Sequence, residues 1–361
     1  MTCYKMIGKG GYSKVITPPI YCTHQQKHFF LISSNVVNNN DVGKVFIGTD
    51  TKYDFEEEVR ILEKIKQIPH YTDFTVEIKD ACILDKNDLE IDKIKSLEKL
   101  SVIHKKSFYE RVIDNMYCCN NIYQIIFENG GCCLNKIEGS IGYNKCMDMI
   151  KTLLIGIQAL HNNNIIHRDI KPTNILYNGN KFSIIDFGLS CTIEEVYDYD
   201  SSGYLLEYGY PFHPPEFYII YLLYNYYYQI LSFDECLSKA QYELTTETKL
   251  LNKYYETHYN MYKLLPKQYT TVDYINEFKN IFDDIHAKQF NKIEDIYHSR
   301  EFVVKADVFS ISLVLYNLKK KISFDTVENE KKYDALCEMS SVFNPFRRCS
   351  IQDLLNIIDA E

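Results

Sequence analysis

His167-Arg168-Asp169-Ile170-Lys171-Pro172-Thr173-Asn174 is the stretch of the 361-residue chain that decides its fold class. It combines a carboxylate, an amide, an ammonium and a guanidinium, and chemistry on a phosphate needs that mixture. Asp169 can accept the proton of a hydroxyl nucleophile, and Lys171 can offset the charge that develops on a transferred phosphoryl group. Asn174 can hold a divalent metal ion. The stretch therefore predicts a phosphoryl-transfer site.

A second acidic motif, Asp186-Phe187-Gly188, follows an apolar segment that predicts a buried strand ending in a turn. Its carboxylate and the Asn174 amide supply oxygen ligands of the kind that divalent cations prefer. Arg168 is placed to pair with an anion, such as a phosphorylated side chain. In this order and spacing, the two motifs resemble the catalytic core of eukaryotic-type protein kinases.

The resemblance implies an α+β, bilobal protein kinase-like fold, with a small β-rich N-lobe followed by a mostly helical C-lobe. A single kinase domain would span 1–361, with the N-lobe at 1–128 and the C-lobe at 129–361. Two segments are longer than the corresponding parts of a kinase, and we expect them to be inserts. They are about 70–121, whose charge-rich centre at 85–111 is predicted to be a solvated helix or loop, and about 217–304, which is predicted to be helical.

The resemblance also implies the chemistry. Asp169 would be the catalytic base, Lys171 would contact the transferred phosphoryl group, and Asn174 and Asp186 would bind the metal. The cofactors would be ATP and Mg²⁺, or Mn²⁺ in its place. The expected acceptors are Ser/Thr hydroxyls of protein substrates, because tyrosine kinases usually replace the lysine at position 171.

Glycines near the start of the chain predict a loop that covers the ATP phosphates. Gly8 and Gly10 would let the backbone approach the phosphates without side chains in the way. Ser13 replaces the third glycine of the family, and Val15 matches the valine that packs on adenine. The residues expected to contact the nucleotide here are Ile7, Gly8, Lys9, Gly10, Gly11 and Val15.

An apolar strand at 42–47 carries one lysine, Lys44, which we assign to the α- and β-phosphates. Gly43 departs from the small apolar residue usually found beside this lysine in the family. Apolar residues at helical spacing predict a helix from about 53 to 66. The resemblance to the family implies that Glu58 on this helix pairs with Lys44. Glu56 and Glu57 are rival partners, unless they form an exposed acidic first turn.

Residues 123–131 predict a strand that runs into a linker between the lobes. In the family, backbone groups of this linker bind adenine, which here implies Glu128 and Gly130.

Farther along, Pro214-Pro215-Glu216 and Arg348 match family positions that form a buried ion pair. Asp307 would anchor the backbone of the catalytic stretch.

Residues 186–216 match the family's activation segment. Its candidates for phosphorylation include Thr192, Tyr197, Tyr199, Ser201, Ser202, Tyr204 and Tyr208. Phosphorylation of one of them could order the segment through Arg168. Negative charge is already supplied there by Glu194, Glu195, Asp198 and Asp200, so an alternative is that the segment needs no phosphate. Gly209 replaces the family's substrate-side threonine.

The insert at 217–304 has apolar residues at helical spacing, and the region after Asp307 that usually docks protein substrates is short. We hypothesise that this insert packs on the C-lobe and contacts a substrate or a regulatory partner. The alternative is a structural cover for the lobe.

The composition indicates which classes of partner and which cellular location to expect. The net charge of −9 argues against nucleic acid, and the absence of an 18-residue apolar run predicts no membrane span. The 12 cysteines lack Cys-x-x-Cys spacing, so reduced and mostly buried thiols are expected rather than a zinc site. No signal peptide fits the N-terminal residues, and we expect a cytoplasmic protein.

Abundant Asn, Ile and Lys, with 31 tyrosines and no tryptophan, indicate an A/T-rich genome. The segment Pro18-Pro19-Ile20-Tyr21-Cys22 after the glycine loop resembles kinases of nucleocytoplasmic large DNA viruses. A viral source would place the protein in the host cytoplasm or the virion.

Two other functions remain open from the sequence. A pseudokinase scaffold or regulatory binding protein would bind partners without catalysis, and the departures at Ser13, Gly43 and Gly209 leave that alternative standing. Every catalytic position is nevertheless filled, which favours an enzyme. A kinase-like phosphotransferase acting on small molecules is a third interpretation, against which Lys171 and the Pro215-Glu216 pair argue.

Overall fold

The computed structural model describes residues 5–9, 13–20, 37–46, 51–84, 122–197, 214–227, 231–246, 270–297 and 299–360. The chain divides into two compact units, 1–131 and 132–361. An antiparallel sheet dominates the first unit and helices dominate the second, which confirms the predicted α+β kinase-like class. The predicted bounds of the N-lobe, 1–128, and of the C-lobe, 129–361, stay predictions.

The first unit contains a five-stranded antiparallel sheet in the order β1-β2-β3-β5-β4. Its strands are β1 (Lys5–Lys9), β2 (Ser13–Thr17), β3 (Val42–Phe46), β4 (Ile78–Leu84) and β5 (Ile122–Phe127). β3 is hydrogen-bonded on both sides, to β2 and to β5, so the strand that carries Lys44 is held from two directions.

β4 changes the extent of the predicted insert at 70–121. Ile78–Leu84 is an internal part of that segment, yet it pairs with β5 and buries Ile78, Ala81, Cys82 and Leu84. The polar pair Lys79-Asp80 interrupts the alternation that would have identified the strand. Residues 78–84 therefore belong to the sheet, and 85–121 lie outside the described residues.

Helix α1 (Thr51–Lys66) confirms the helix predicted from apolar spacing. Phe55, Val59, Leu62 and Ile65 form its buried row and are each at most 2 % exposed. The Phe55 ring lies 5.5 Å from that of Phe46 on β3 and 5.0 Å from that of Tyr123 on β5. Burying a side chain of this size contributes about 1.5–3 kcal/mol, so the row fixes α1 against the sheet.

The strands of the second unit are short. They are β6 (Cys132–Cys133), β7 (Ile141–Gly142), β8 (Ile165–Ile166), β9 (Ile175–Tyr177), β10 (Phe182–Ile184), β11 (Cys191–Thr192) and β12 (Ile322–Ser323). β8 pairs with β11, and β9 lies between β6 and β10. Because β8 ends just before His167 and β9 begins just after Asn174, the stretch quoted at the outset is held at both ends.

The helices of the second unit are α2 (Tyr143–Asn162), α3 (Pro215–Tyr227), α4 (Phe233–Thr245), α5 (Thr271–Ala287), α6 (Ile293–Tyr297), α7 (Arg300–Lys319), α8 (Val327–Ser340) and α9 (Ile351–Asp359). α7 is buried almost all round from Val308 to Leu318, as predicted for a core helix. Within the described ranges, no helix is both long and apolar enough to cross a membrane.

Helix α5 of the predicted insert packs on the rest of the second unit. Phe278 on α5 meets Phe343 edge to face, with ring centroids 5.2 Å apart. Asp284 on the same helix accepts hydrogen bonds from Asn344 at 2.7 Å and from Arg347 at 2.9 Å. These contacts confirm that the insert packs on its own unit, while its segment 247–269 lies outside the described residues.

Among the described cysteines, Cys82 is disulfide-bonded. The other seven are free: Cys132, Cys133, Cys146, Cys191, Cys236, Cys337 and Cys349. The expectation of reduced thiols is therefore wrong at Cys82.

Candidate active site

The described part of the predicted phosphate-binding loop lies on β1 and β2. Ile7 and Gly8 are half-buried, and Gly8 pairs with Val15 across the two strands. A β-carbon at Gly8 would lie 3.2 Å from the β-carbon of Val15, so glycine lets the two strands approach at this point. Lys9 ends β1, and the predicted contacts Gly10 and Gly11 lie outside the described residues.

Lys44 and Glu58 form an ion pair inside the first unit. Lys44 Nζ donates to Glu58 Oε1 at 2.8 Å and to Oε2 at 2.6 Å, and both residues are buried. The rivals Glu56 and Glu57 instead contact Lys52 and Arg60 on the surface of α1. The ion pair holds the Lys44 ammonium at a fixed place on β3, as a group that binds phosphate must be held.

The predicted adenine-binding residues follow β5. The Glu128 N–H donates to the Glu77 carbonyl oxygen at 2.9 Å, so the Glu128 carbonyl is the backbone group suited to accept from an adenine amino group. Gly130 is buried, and Gly131 next to it has a φ of 93°, a conformation that favours glycine.

In the second unit, three predicted catalytic side chains meet at one oxygen atom. Asp169 Oδ2 accepts from Lys171 Nζ at 2.8 Å and from Asn174 Nδ2 at 2.8 Å. Asn174 Nδ2 also donates to the Asp169 carbonyl at 3.0 Å. Asp169 and Asn174 are each 5 % exposed. Hydrogen bonds from an ammonium and an amide hold this carboxylate in one orientation, which a general base needs.

Asp307 at the buried core of α7 holds the backbone of the catalytic stretch. Its two carboxylate oxygens accept from the N–H groups of His167 and Arg168, each at 2.9 Å, and His161 Nε2 lies 2.9 Å from Oδ2. Burial alone would raise the pKa of Asp307, but the contacts with His161 and His167 outweigh it and lower that pKa. The predicted anchoring role of Asp307 is confirmed.

His167 connects this stretch to the second acidic motif. Its Nδ1 accepts from the Asp169 N–H at 3.2 Å, and its Nε2 lies 3.2 Å from the Ile185 carbonyl oxygen. An accepting Nδ1 and a donating Nε2 define a neutral imidazole. Burial lowers the pKa of His167, although Asp307, Asp169 and Asp186 oppose the shift. The neutral form therefore persists in the folded protein.

The two predicted metal ligands are positioned by shared backbone contacts. The Ile185 N–H donates to the Asn174 carbonyl at 2.9 Å, directly before Asp186. Asp186 itself has a φ of 67°, a strained conformation for a side chain other than glycine and one that is common at functional sites. Because the Asn174 amide nitrogen donates to Asp169, its oxygen is the atom that could ligate a cation. An amide oxygen and a carboxylate suit Mg²⁺.

Arg168 was predicted to pair with an anion such as a phosphorylated side chain, and that pairing stays a prediction. Its side chain is buried, and Nη1 donates to Cys191 Sγ at 3.0 Å. Its Nε has no hydrogen-bond partner among the described residues. The predicted activation segment is described only at 186–197 and from 214 onwards, so most of its candidate phosphorylation sites, and Gly209, lie outside the described residues.

The predicted ion pair between Glu216 and Arg348 is present and fully buried. Arg348 Nη1 donates to Glu216 Oε1 at 2.6 Å and Nη2 donates to Oε2 at 3.1 Å, with both side chains 0 % exposed. Further donors of Arg348 reach the carbonyl oxygens of Val342, Phe343 and Lys305. The pair ties the start of α3 to the loop before α9.

Sequence reasoning missed Gln124, a buried amide in the middle of β5. Its side chain is 0 % exposed and hydrogen-bonds the backbone of Ile20. The signal that could have found it is a polar residue inside the apolar strand Ile122–Phe127.

Comparison with known proteins gives the family. The protein kinase domain model matches residues 2–211, a range that contains every predicted catalytic, nucleotide-binding and metal-binding residue. The CTD kinase subunit alpha of Saccharomyces cerevisiae is 32 % identical over 128 residues, which are 35 % of this chain and 23 % of that protein. Calcium/calmodulin-dependent protein kinase type I of Schizosaccharomyces pombe is 34 % identical over 128 residues, 34 % of this chain and 35 % of that protein.

A non-specific serine/threonine protein kinase of Drosophila melanogaster is 41 % identical over 63 residues, which are 17 % of this chain and 10 % of that protein. The chain thus spans about a third or less of the length of each of these relatives. The family model, by contrast, covers more than half of the chain, and within it Lys44 meets Glu58 while Asp169 meets Lys171 and Asn174. The chain therefore belongs to the protein kinase domain family.

Proposed function

We propose that the protein is a Ser/Thr protein kinase, which transfers the γ-phosphate of ATP to hydroxyl groups of protein substrates. The observation that carries the proposal is the carboxylate of Asp169, buried and held by Lys171 and Asn174 through one oxygen atom. A carboxylate held in this way can orient a substrate hydroxyl and accept its proton. Lys171 lies beside this base, where its charge would stabilise the transferred phosphoryl group.

The other residues have supporting roles in this proposal. Lys44, oriented by Glu58, would bind the α- and β-phosphates of ATP, and the Asn174 and Asp186 oxygens would hold Mg²⁺ or Mn²⁺. The metal would neutralise charge on the phosphates. The glycine loop (Ile7, Gly8, Lys9, Gly10, Gly11 and Val15) would cover the nucleotide, and backbone groups of Glu128 and Gly130 would bind adenine.

Ser/Thr rather than Tyr specificity has two supports. Lys171 occupies a position that tyrosine kinases usually replace, and the Drosophila relative carries a serine/threonine kinase name. The viral source, with a location in the host cytoplasm or virion, stays a prediction from composition and the segment 18–22.

Transfer of ³²P from ATP·Mg²⁺ to casein, histone and myelin basic protein, followed by phosphoamino-acid analysis, tests the proposal. We expect phosphoserine and phosphothreonine. Phosphotyrosine alone would overturn the Ser/Thr assignment. ATP binding without any transfer would support the pseudokinase alternative instead.

We also propose that the insert at 217–304 contacts a substrate or a regulatory partner. Its exposed apolar residues Tyr242 and Val272 are 62 % and 59 % exposed, so replacing both with serine should leave the core of the unit intact. We expect this double variant to unfold at the wild-type urea concentration but to phosphorylate at least one protein substrate with a raised KM. Unchanged kinetics on every substrate would favour the structural cover.

A further inference from the structure

Gly43, directly before Lys44, occupies a position where the sheet has no room for a side chain. A β-carbon built on Gly43 would lie 2.3 Å from Gln124 Oε1, 3.0 Å from Gln124 Cδ and 3.3 Å from the α-carbon of Pro19. A β-carbon closer than 3.0 Å to another heavy atom is too close, so either Gln124 or the backbone at residue 43 would have to move. The departure from the family residue at this position therefore has a physical cause, which is the side chain of Gln124.

Gln124 cannot move without losing hydrogen bonds. Its Oε1 accepts from the Ile20 N–H at 3.0 Å, and its Nε2 donates to the Ile20 carbonyl at 2.6 Å. Nε2 also donates to Cys82 Sγ at 3.7 Å. Gln124 is 0 % exposed and Ile20 is 3 % exposed, so displacing the amide would leave buried polar groups without partners.

The arrangement ties the segment after β2 across the face of the sheet opposite Lys44. Val45 lies directly across from Gln124, and Gly43 lies across from Ile126, so Gly43 and Gln124 are diagonal neighbours on one face. Side chains alternate along a strand, which places Lys44 on the other face, where it meets Glu58. Gly43 and Lys44 are thus consecutive residues of β3 that face opposite sides of the sheet.

We propose that Gly43 and Gln124 are positioning residues for Lys44, because the Gln124–Ile20 contact fixes β3 from the face opposite the ion pair. A side chain at Gly43 would displace either Gln124 or β3, and movement of β3 would shift the Lys44 ammonium relative to bound ATP. The inference rests on the proposed function, in which Lys44 binds the ATP phosphates.

A four-protein cycle tests the inference in the full chain: wild type, Gly43→Ala, Gln124→Ala and the double variant. The readouts are the KM values for ATP and for a protein substrate, the dissociation constant for ATP, and the unfolding temperature. Gly142→Ala is the matched control, because a β-carbon at Gly142 meets nothing within 4 Å. We expect the control to match wild type in every readout.

Gly43→Ala should raise the KM for ATP by about fivefold or more and leave the KM for the protein substrate within about twofold. In the Gln124→Ala background the same change should alter the KM for ATP by less than about twofold, because the two closest contacts, with Oε1 and Cδ of Gln124, are gone and only the Pro19 α-carbon at 3.3 Å remains. If Gly43→Ala does not fold, the double variant decides. A folded double variant supports the clash between residue 43 and Gln124, and a double variant that also fails to fold overturns it.

Two results contradict the inference. One is an unchanged KM and dissociation constant for ATP in Gly43→Ala, with only the unfolding temperature lowered, which would assign both residues a purely structural role. The other is an equal effect of Gly43→Ala in both backgrounds. If wild type transfers no phosphate at all, the proposed function fails, and the cycle is then read from the dissociation constant for ATP and the unfolding temperature.

Discussion

The buried pair of Glu216 and Arg348 allows a stability prediction worked from its contacts. Both side chains are 0 % exposed, and two hydrogen bonds join the carboxylate to the guanidinium. Glu216→Ala would leave a buried guanidinium without its counter-charge, which typically costs about 3–5 kcal/mol. Glu216→Gln keeps the shape and one acceptor, so losing one charge-assisted hydrogen bond should cost about 1.5–3 kcal/mol. Arg348 retains its backbone carbonyl partners in both variants.

Equilibrium unfolding in urea, followed by circular dichroism, measures these differences. The matched control is Glu56→Gln, because Glu56 meets Lys52 on the surface at 3.7 Å with side-chain exposures of 46 % and 68 %. An exposed pair contributes about 0–1 kcal/mol, so this control should unfold close to wild type. The expected order of destabilisation is Glu216→Ala, then Glu216→Gln, then the control. Loss of less than about 1 kcal/mol in Glu216→Ala would refute the reasoning.

Three further outcomes are expected. Lys44→Met leaves Glu58 buried without a counter-charge and should lower kcat/KM for ATP by about 10²-fold or more, measured by steady-state kinetics; a change below tenfold would contradict the role of Lys44. Asp307→Asn exchanges one acceptor oxygen for a donor, so hydrogen exchange at the His167 and Arg168 amides should quicken, and unchanged exchange would contradict the anchoring role. Burial lowers the pKa of His167 below its ordinary 6.5, so the unfolded chain binds more protons as the pH falls through 6.5. The free energy of unfolding should therefore drop between pH 7.5 and 5.5, and His167→Asn should drop less; equal drops would contradict a neutral buried His167.

The sequence alone was sufficient for features that depend on local spacing. The apolar spacing of α1 predicted its buried row. The ion pairs Lys44–Glu58 and Glu216–Arg348 were instead implied by resemblance to the protein kinase family, and for the first of them Glu56 and Glu57 had remained as rivals. The motifs of the family supplied those pairings, because no local pattern links residues 132 positions apart.

Other contacts depend on atoms brought together by the fold. Gln124 reaches Ile20 across 104 positions of sequence, and no local pattern links them. Arg168 Nη1 donates to Cys191 Sγ across 23 positions of sequence, and no local pattern predicts this contact. β4 escaped detection because Lys79 and Asp80 break its alternation although the strand still buries four apolar residues.

The assignment of Asp169 as catalytic base is tested most directly by Asp169→Asn, assayed for ³²P transfer to casein and for ATP binding. Asp148→Asn on the exposed face of α2 is the matched control and should retain wild-type activity. We expect kcat of Asp169→Asn to fall by about 10²–10⁴-fold, while the dissociation constant for ATP stays within about twofold. Transfer within tenfold of wild type would contradict the assignment, and with it the mechanism built on the contact of Asp169 with Lys171 and Asn174.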